Sequence, residues 1–204
     1  MSTIIATPSG TTWVNEFPAP MSFVDGSWTG AAIQDAAGGS LTIGGVATDG
    51  LLAEATGSGN HVKTKAVGGI GAPETAGGLF FISCFAAKGA VNFLMLQVHV
   101  LNAGFASVGG YQYYNLNTGA VATGGAVGAG SVIEAGIEAV TNGYRCWAIV
   151  DCGGTDSNGM TATCGVREVD DTSNYGAADI VTSQIYAGGL TVVDGATGDL
   201  GYIA

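Results

Sequence analysis

Two histidines are the residues best suited to acid–base or nucleophilic chemistry in this chain. His61 and His99 are its two histidines. A nucleophilic site needs Ser or Cys beside His and a carboxylate, and neither a G-x-S-x-G elbow nor a Cys-His family motif accompanies them. His99 alternates with apolar residues, which favours a histidine satisfied within a sheet over a catalytic or metal-binding one. The sequence therefore predicts that the protein is not an enzyme.

Closely spaced carboxylates occur at two places. Asp170 and Asp171 are adjacent in a polar stretch, where neighbouring acids more often stay solvated than act as general acid and base. Residues 194–199, Asp-Gly-Ala-Thr-Gly-Asp, superficially resemble a calcium loop but lack the twelve-residue ligand pattern of an EF-hand. A turn-rich acidic loop is favoured there, with bound Ca²⁺ as the alternative. No other cofactor is predicted.

Aromatic side chains supply the remaining candidate site. Tyr111, Tyr113 and Tyr114 fall in one apolar segment and Trp147 in another. Because sugars bind by stacking on such rings, these four residues and His99 form a candidate glycan-contacting surface. The alternative is that the rings are core or subunit contacts, as is usual for aromatic residues in β-sandwiches.

Glycine-bounded apolar segments predict the strands that would position these side chains. The six segments are Leu79–Ala87, Phe93–Leu101, Gly110–Leu116, Tyr144–Cys152, Met160–Glu168 and Ile180–Tyr186. No segment has sustained helical periodicity, although residues 31–37 and 132–140 could each form a turn or two of helix.

Two glycine-rich stretches are interpreted as connections. Asp151–Gly159 reads as a hairpin loop that returns the chain into the next strand. Gly119–Gly130, a tract of small residues, is either a mobile loop or a surface that lies against a neighbouring subunit.

Alternation along the strands separates a core face from an outer face. The core face is predicted to contain Leu94, Leu96, Val98 and Val100 of one strand, Tyr144, Cys146, Ala148, Val150 and Cys152 of a second, and Ala162, Cys164 and Val166 of a third. Both faces of these strands are expected to be partly covered, as two packed sheets require. With no C-x-x-C pair present, all four cysteines are expected to be reduced, buried thiols.

Composition favours one all-β domain. The 204 residues include 36 glycines without a three-residue period, 47% are hydrophobic and 10% are charged, which indicates many turns between short strands. We expect a jelly-roll-like antiparallel β-sandwich with little helix, spanning residues 1–204 as an N-terminal arm (1–12) and a sandwich (13–204). Few surface charges also favour a homo-oligomer, with a trimer preferred.

Charge and segment length exclude some partners. The net charge of −11 and five scattered basic residues argue against nucleic acid, which requires clustered Lys and Arg. No stretch of 18 apolar residues or secretion signal is present, so no membrane partner is expected and synthesis in a cytosol is implied.

Two segments resemble a signature of tailed-phage virion proteins. Residues 115–121 read Asn-Leu-Asn-Thr-Gly-Ala-Val and residues 142–149 read Asn-Gly-Tyr-Arg-Cys-Trp-Ala-Ile, similar to "F-D/N-L-x-T-G-x-V" followed about twenty residues later by "N-G-W-Y-R-C". Weaker similarities in the same order include residues 47–54, 59–62, 81–88 and 179–189. That family has a lectin-like or carbohydrate-binding-like jelly-roll fold.

The resemblance implies a structural protein made in a host cytoplasm and carried on the outer surface of a bacteriophage particle. A capsid decoration or cement protein that binds the major capsid protein is the first hypothesis. A tail-fibre or receptor-binding module that holds host glycans is the alternative.

Overall fold

The protein consists of two antiparallel β-sheets packed face to face. In the computed structural model, the described residues are 3–6, 12–15, 23, 28–31, 33–53, 61–68, 78–89, 91–102, 104, 106–153, 159–167 and 184–194. These residues contain fourteen strands and no helix. The expected all-β, jelly-roll-like antiparallel sandwich is confirmed.

The first sheet has eight strands. Its main path runs β1 (Thr3–Ala6), β2 (Thr12–Asn15), β14 (Gln184–Asp194), β7 (Leu79–Lys88), β12 (Gly143–Asp151) and β11 (Ser131–Val140). A hairpin of β4 (Ile33–Ile43) and β5 (Val46–Ala53) joins it where β5 pairs with β14.

The second sheet has six strands. Their order is β10 (Ala120–Val127), β9 (Ser107–Asn115), β8 (Phe93–Leu101), β13 (Gly159–Arg167), β6 (Val62–Gly68) and β3 (Thr29–Ala31). The sheet therefore has β10 at one edge and β3 at the other.

The main core lies between the sheets and follows the predicted alternation. Leu94, Leu96, Val98 and Val100 of β8 are buried in one cluster with Cys146, Ala148 and Val150 of β12. Ala162 and Cys164 of β13 and Cys152 belong to the same cluster, and Tyr144 packs against it. Each residue of this interior removes apolar surface from water, and this burial stabilises the fold by roughly 25 cal/mol per Å².

Glycines of the outermost strands lie beneath aromatic rings of their neighbours. A Cβ on Gly125 of β10 would stand 2.4 Å from the Tyr111 ring, and one on Gly136 of β11 would stand 2.4 Å from the Trp147 ring. These pairs are cross-strand partners. The rings therefore cover backbone that the glycines leave bare, which stabilises strands of otherwise poor propensity.

A smaller cluster caps the outer face of the eight-stranded sheet. The β4–β5 hairpin turns at Gly44 and Gly45, whose φ angles of 57° and 86° fit a two-residue turn of type I′. This turn brings Ile43 and Val46 onto Phe85 of β7. The Gly44 N–H donates to the Thr141 carbonyl (2.9 Å), which ties the hairpin to the β11–β12 turn.

Three interpretations that were based on local sequence pattern are wrong. Residues 132–140 were open to a helical interpretation, since their apolar residues recur at intervals of three to five, but they form β11. Of residues 31–37, the described ones lie in β3 and β4. The Gly119–Gly130 tract is not a loop, because it contains β10 paired with β9.

The predicted hairpin at residues 151–159 is also wrong. β12 pairs with β11 and β7, whereas β13 pairs with β8 and β6. The segment thus connects the two sheets, and the cores of β12 and β13 meet across the sandwich rather than along one sheet.

Strand β1 falls within the residues predicted as an N-terminal arm (1–12). β1 pairs with β2 along Thr3–Ala6, and β2 meets β14 where Asn15 pairs with Val193. Backbone pairing therefore joins this segment to the eight-stranded sheet.

All four cysteines, Cys84, Cys146, Cys152 and Cys164, are buried and none forms a disulfide, as expected. Within the described part of the chain, no helix is long and apolar enough to span a bilayer.

Candidate functional site

The outer surface of the six-stranded sheet carries a band of polar and aromatic side chains. Register places Tyr111 of β9 beside Gln97 of β8, and Gln97 beside Thr163 of β13. In the next row, His99 of β8 lies beside Thr161 of β13. Because residues in register on one face are neighbours, these side chains form a continuous strip across three strands.

Exposure divides this strip into a supporting part and an accessible part. Tyr113, Met95 and Thr163 are 4%, 4% and 5% exposed, so they form its base. Tyr111, Gln97, His99, Thr161 and Thr64 are half-buried. We call these five half-buried side chains the tyrosine face.

Contacts with the buried base hold the tyrosine face in place. The Tyr111 and Tyr113 rings meet edge to face with centroids 5.4 Å apart, a favourable aromatic geometry. Thr163 Oγ1 lies 3.5 Å from Thr64 Oγ1 on β6, which extends the polar strip to a fourth strand.

The state of His99 is fixed by burial and by one hydrogen bond. Gln97 Nε2 lies 3.1 Å from His99 Nδ1. Since an amide nitrogen only donates, Nδ1 accepts and the neutral ring carries its proton on Nε2. Burial lowers the pKa of His99 below its ordinary value, so the imidazole is neutral at pH 7 and offers an N–H donor.

The backbone beneath His99 is unusually close. Its cross-strand partner is Gly109, where a Cβ would stand 2.1 Å from the Val98 carbonyl oxygen and 2.8 Å from His99 Cβ. Only glycine fits between these two strands, so Gly109 helps to set the position of His99.

This surface lies in an uncharged region of an acidic protein. Residues 89–133, which include all of β8, β9 and β10, contain no Asp, Glu, Lys or Arg. The central part of β13 is also uncharged. A ligand that fits this face would therefore be recognised by stacking and hydrogen bonds rather than by ion pairing.

The other predicted site residues lie elsewhere, so the five candidates do not form one surface. Tyr114 is fully buried between the sheets, and its hydroxyl donates to the Trp147 carbonyl (2.6 Å). Burial, followed by the nearby Cys146 and Cys84, raises the pKa of Tyr114 well above its usual value. The phenol is thus a neutral core donor.

Trp147 belongs to the opposite outer face, on the eight-stranded sheet. Its side chain is stacked on Phe81 with centroids 6.2 Å apart and lies over Gly136. Only 9% of Trp147 is exposed. Neighbouring Arg145 is 1% exposed, with its guanidinium 5.8 Å from the Phe81 ring centroid and 3.4 Å from Glu138. These groups serve packing rather than ligand contact.

The two signature segments meet at one end of the sandwich. Asn115 Oδ1 accepts from the N–H groups of Asn117 (2.9 Å) and Thr118 (3.1 Å), which shapes the β9–β10 turn. Gly119 follows with a φ of 69°, and a Cβ there would stand 2.7 Å from the Tyr144 ring. The first segment thus packs on the second, and both motifs define turns.

Asn142 of the second segment adopts a φ of 68°, and its amide donates to the Thr42 carbonyl (2.9 Å). It links the β11–β12 turn to the β4–β5 hairpin. The signature therefore marks contacts that fix the fold at this end, and the tyrosine face lies outside it.

The acidic candidates lie largely outside the described residues. Asp170 and Asp171 are not described, and of residues 194–199 only Asp194 is, as the last residue of β14. Among described residues, no group of three His, Cys, Asp or Glu side chains could hold a metal ion. Calcium binding by residues 194–199 stays a prediction.

Sequence reasoning missed Gln97, Thr161 and Thr64 as members of the surface. Alternation had assigned Gln97 and His99 to one face of a strand, but the threonines of β13 and β6 carry no chemical motif. Only the order of strands in the sheet brings them beside Tyr111.

No protein-family model and no curated protein sequence matches this chain. Solved structures similar to it include a carbohydrate-binding module studied for specific mannan recognition, with a TM-score of 0.38, 10% identity and 96% coverage of both chains. Another is the N-terminal part of endo-1,4-beta-D-xylanase 10B of Clostridium thermocellum, complexed with xylohexaose, with a TM-score of 0.38 and 11% identity. That match covers 88% of this chain and 28% of the xylanase chain.

Proposed function

We propose that the protein is a non-catalytic glycan-binding module and that a neutral oligosaccharide lies across the tyrosine face. One observation carries the proposal: a phenol, an amide, a neutral imidazole and threonine hydroxyls share one uncharged strip of a rigid sheet. A sugar ring presents an apolar face that can stack on Tyr111 and hydroxyls that can exchange hydrogen bonds with Gln97 and His99.

The chemistry of the strip supports binding without hydrolysis. Glycoside hydrolysis ordinarily needs two carboxylic acids on either side of the scissile bond. The described residues of the strip include no carboxylate, and β8, β9 and β10 have none in their sequence. A bound glycan would therefore meet donors, acceptors and a ring, but no acid–base pair.

Affinity measurements on matched variants test the proposal. Binding of the full chain to a panel of soluble neutral polysaccharides and to one acidic polysaccharide would be followed by affinity electrophoresis and calorimetry. We expect a neutral member to bind and Tyr111→Ala to weaken it by about tenfold or more, since loss of one stacking ring costs on the order of 1.4 kcal/mol. Gln97→Ala is expected to weaken the same ligand.

Tyr144→Ala is the matched control, because Tyr144 is also a half-buried tyrosine that covers a glycine but lies away from the tyrosine face. It should lower stability without changing affinity. Equal losses of affinity in both tyrosine variants, or no binding to any polysaccharide, would refute the assignment.

A second candidate function is supported by the contact between the two signature segments. Their packing at Gly119 and Tyr144 gives both motifs a place in the fold, and the resemblance to tailed-phage virion proteins then points to a particle component that coats the capsid. Its partners would be the major capsid protein and other virion proteins, and its place the outer surface of the particle.

Copy number distinguishes the two candidates. Mixing the purified protein with undecorated capsids and counting bound copies by quantitative mass spectrometry should give hundreds per particle if it is a decoration protein. No binding to shells, together with glycan affinity, would instead favour a tail or adhesion module.

A further inference from the structure

The β10 edge of the six-stranded sheet is an uncharged strand with a described neighbour on one side. Among the described strands, β10 pairs with β9 alone, so its other side is an edge of the six-stranded sheet. Many natural edge strands avoid pairing with a second chain by carrying Lys, Pro or inward-pointing charges. β10 reads Ala-Val-Ala-Thr-Gly-Gly-Ala-Val and carries none of these. Its bulge lies between Val121 and Gly124, which leaves Gly124–Val127 in regular register.

A groove with a mixed polar and apolar lining runs beside this edge. It has a volume of about 450 Å³ and lies between β10 and β11, the terminal strands of the two sheets on this side. Val121 is 40% exposed and Ile133 is 57% exposed, and both line the groove. They are the large exposed hydrophobic residues of the described chain. Their location in one groove marks a single site where burial would be favourable.

The charge distribution restricts where a second copy of this chain could bind. Each copy carries −11, so two copies repel one another at long range wherever acidic groups face. Residues 89–133 form the longest stretch of the chain without a charged residue, and Glu134 at the groove margin is the acidic group among the lining residues. A second copy can therefore approach with neutral surface against neutral surface at the β10 edge.

We propose that β10 and the adjoining groove form a homodimer interface in which the β10 strands of two copies pair antiparallel about a two-fold axis. The two six-stranded sheets would then form one continuous sheet. Such an isologous contact is self-complementary, and Val121 and Ile133 of both copies would lose their exposure. This inference does not rest on glycan binding, because the tyrosine face is a different surface.

The association state of the full chain tests the interface. Sedimentation equilibrium of the wild type should show a reversible dimer. Val121→Lys should weaken association by at least about tenfold, because it would bury a charge without a partner in the interface. Thr141→Lys adds the same charge at an exposed turn away from the edge and should leave the dimer intact. A wild type that stays monomeric, or a dimer or trimer equally sensitive or insensitive to both substitutions, would overturn the proposal.

A disulfide that forms between two copies provides a second test, because a variant that fails to fold cannot produce this result. Ala126 is exposed on β10 and lines the groove. Under mild oxidation Ala126→Cys should give a disulfide-linked dimer whose circular dichroism matches the wild type, whereas Thr141→Cys should not. Equal cross-linking of both variants would contradict the assigned surface. The same runs test the expectation of a trimer.

Discussion

At the scale of single residues, Trp147 should matter for stability and not for ligand binding. The ring is stacked on Phe81, lies over Gly136 and is 9% exposed. We expect Trp147→Ala to lower the free energy of unfolding by about 3–5 kcal/mol, because it leaves a cavity and uncovers the edge strand. Urea denaturation followed by circular dichroism would measure this.

The comparison variant is Tyr111→Ala, which removes a half-buried ring from the other sheet. Tyr111→Ala should lower the free energy of unfolding less than Trp147→Ala does, and it should weaken glycan binding more. If instead the tryptophan variant lost glycan binding while keeping wild-type stability, the two outer faces would have been assigned the wrong roles.

His99 should make stability depend on pH in a defined window. Its pKa in the folded protein is lowered by burial from the ordinary 6.5. Between that lowered value and 6.5 the unfolded chain binds more protons than the folded chain. The contribution is thus fully present above pH 6.5 and is lost as pH falls through the folded pKa. Protonation of Nδ1 would also remove the bond from Gln97.

Urea denaturation between pH 7.5 and 4.5 tests this, with His99→Gln as the non-titrating control. The wild type should lose more stability than the variant on acidification, and the imidazole resonance should titrate below 6.5. A His99 resonance that titrates at or above 6.5 would contradict the structure.

Alternation could assign the side chains of a strand to two faces, but it could not say to which sheet the strand belongs. It correctly assigned Leu94, Leu96, Val98 and Val100 to the core face. Trp147 and Tyr111 were grouped because each is an aromatic residue on a predicted strand, yet pairing places them on opposite outer surfaces. Strand order depends on pairing between residues far apart in sequence, which local pattern does not contain.

At the scale of strands, the close approach of β8 and β9 should depend on Gly109. A Cβ there would overlap the Val98 carbonyl oxygen at 2.1 Å, and the obstacle is backbone. We expect Gly109→Ala to destabilise by about 1–3 kcal/mol and to weaken glycan binding by displacing His99. Thermal unfolding and calorimetry measure the two effects.

Gly104→Ala provides the reference for the glycine substitution itself. Its Cβ would meet only Asn102 Oδ1 at 3.4 Å, and Gly104 is exposed. We expect Gly104→Ala to change neither stability nor glycan affinity appreciably. A tolerated Gly109→Ala would mean that the two strands separate more easily than their register implies.

The strands that the sequence revealed and those that it hid differ in where their stability arises. β7, β8 and β12 are rich in large apolar residues, and their predicted bounds match within one residue. β10 consists largely of Gly and Ala, the apolar residues of β11 are interrupted by Glu and Gly, and in both strands a glycine is covered by a ring from the neighbouring strand. A strand that is stabilised by side chains of neighbouring strands is hard to recognise from the strand propensity of its own residues.

At the scale of the whole molecule, one continuous core unites the two sheets. Residues from β7, β8, β12, β13 and β14 belong to a single buried cluster. Composition predicted this arrangement well, because many glycines between apolar runs require short strands in two layers. The polar strip was less predictable, since its residues come from four strands whose order only the fold determines.

The same core should make the four cysteines report on cooperative unfolding. Cys84, Cys146 and Cys152 extend from the eight-stranded sheet side and Cys164 from the other, and all are buried. Burial, followed by the nearby Cys84, raises the pKa of Cys146 well above its usual value, although Arg145 opposes the shift. The native thiol is thus protonated, enclosed and unreactive.

An alkylating reagent should consequently modify molecules only after they open. If the sandwich opens as one unit, mass spectrometry at partial reaction should show chains with no label or four labels and few between. Labelling in urea, where all four thiols react at once, sets the upper rate. Cys152 follows the last residue of β12. Early labelling of Cys152 alone would show that this end of the sandwich opens independently, because a thiol can react before the others only where its segment separates from the common core.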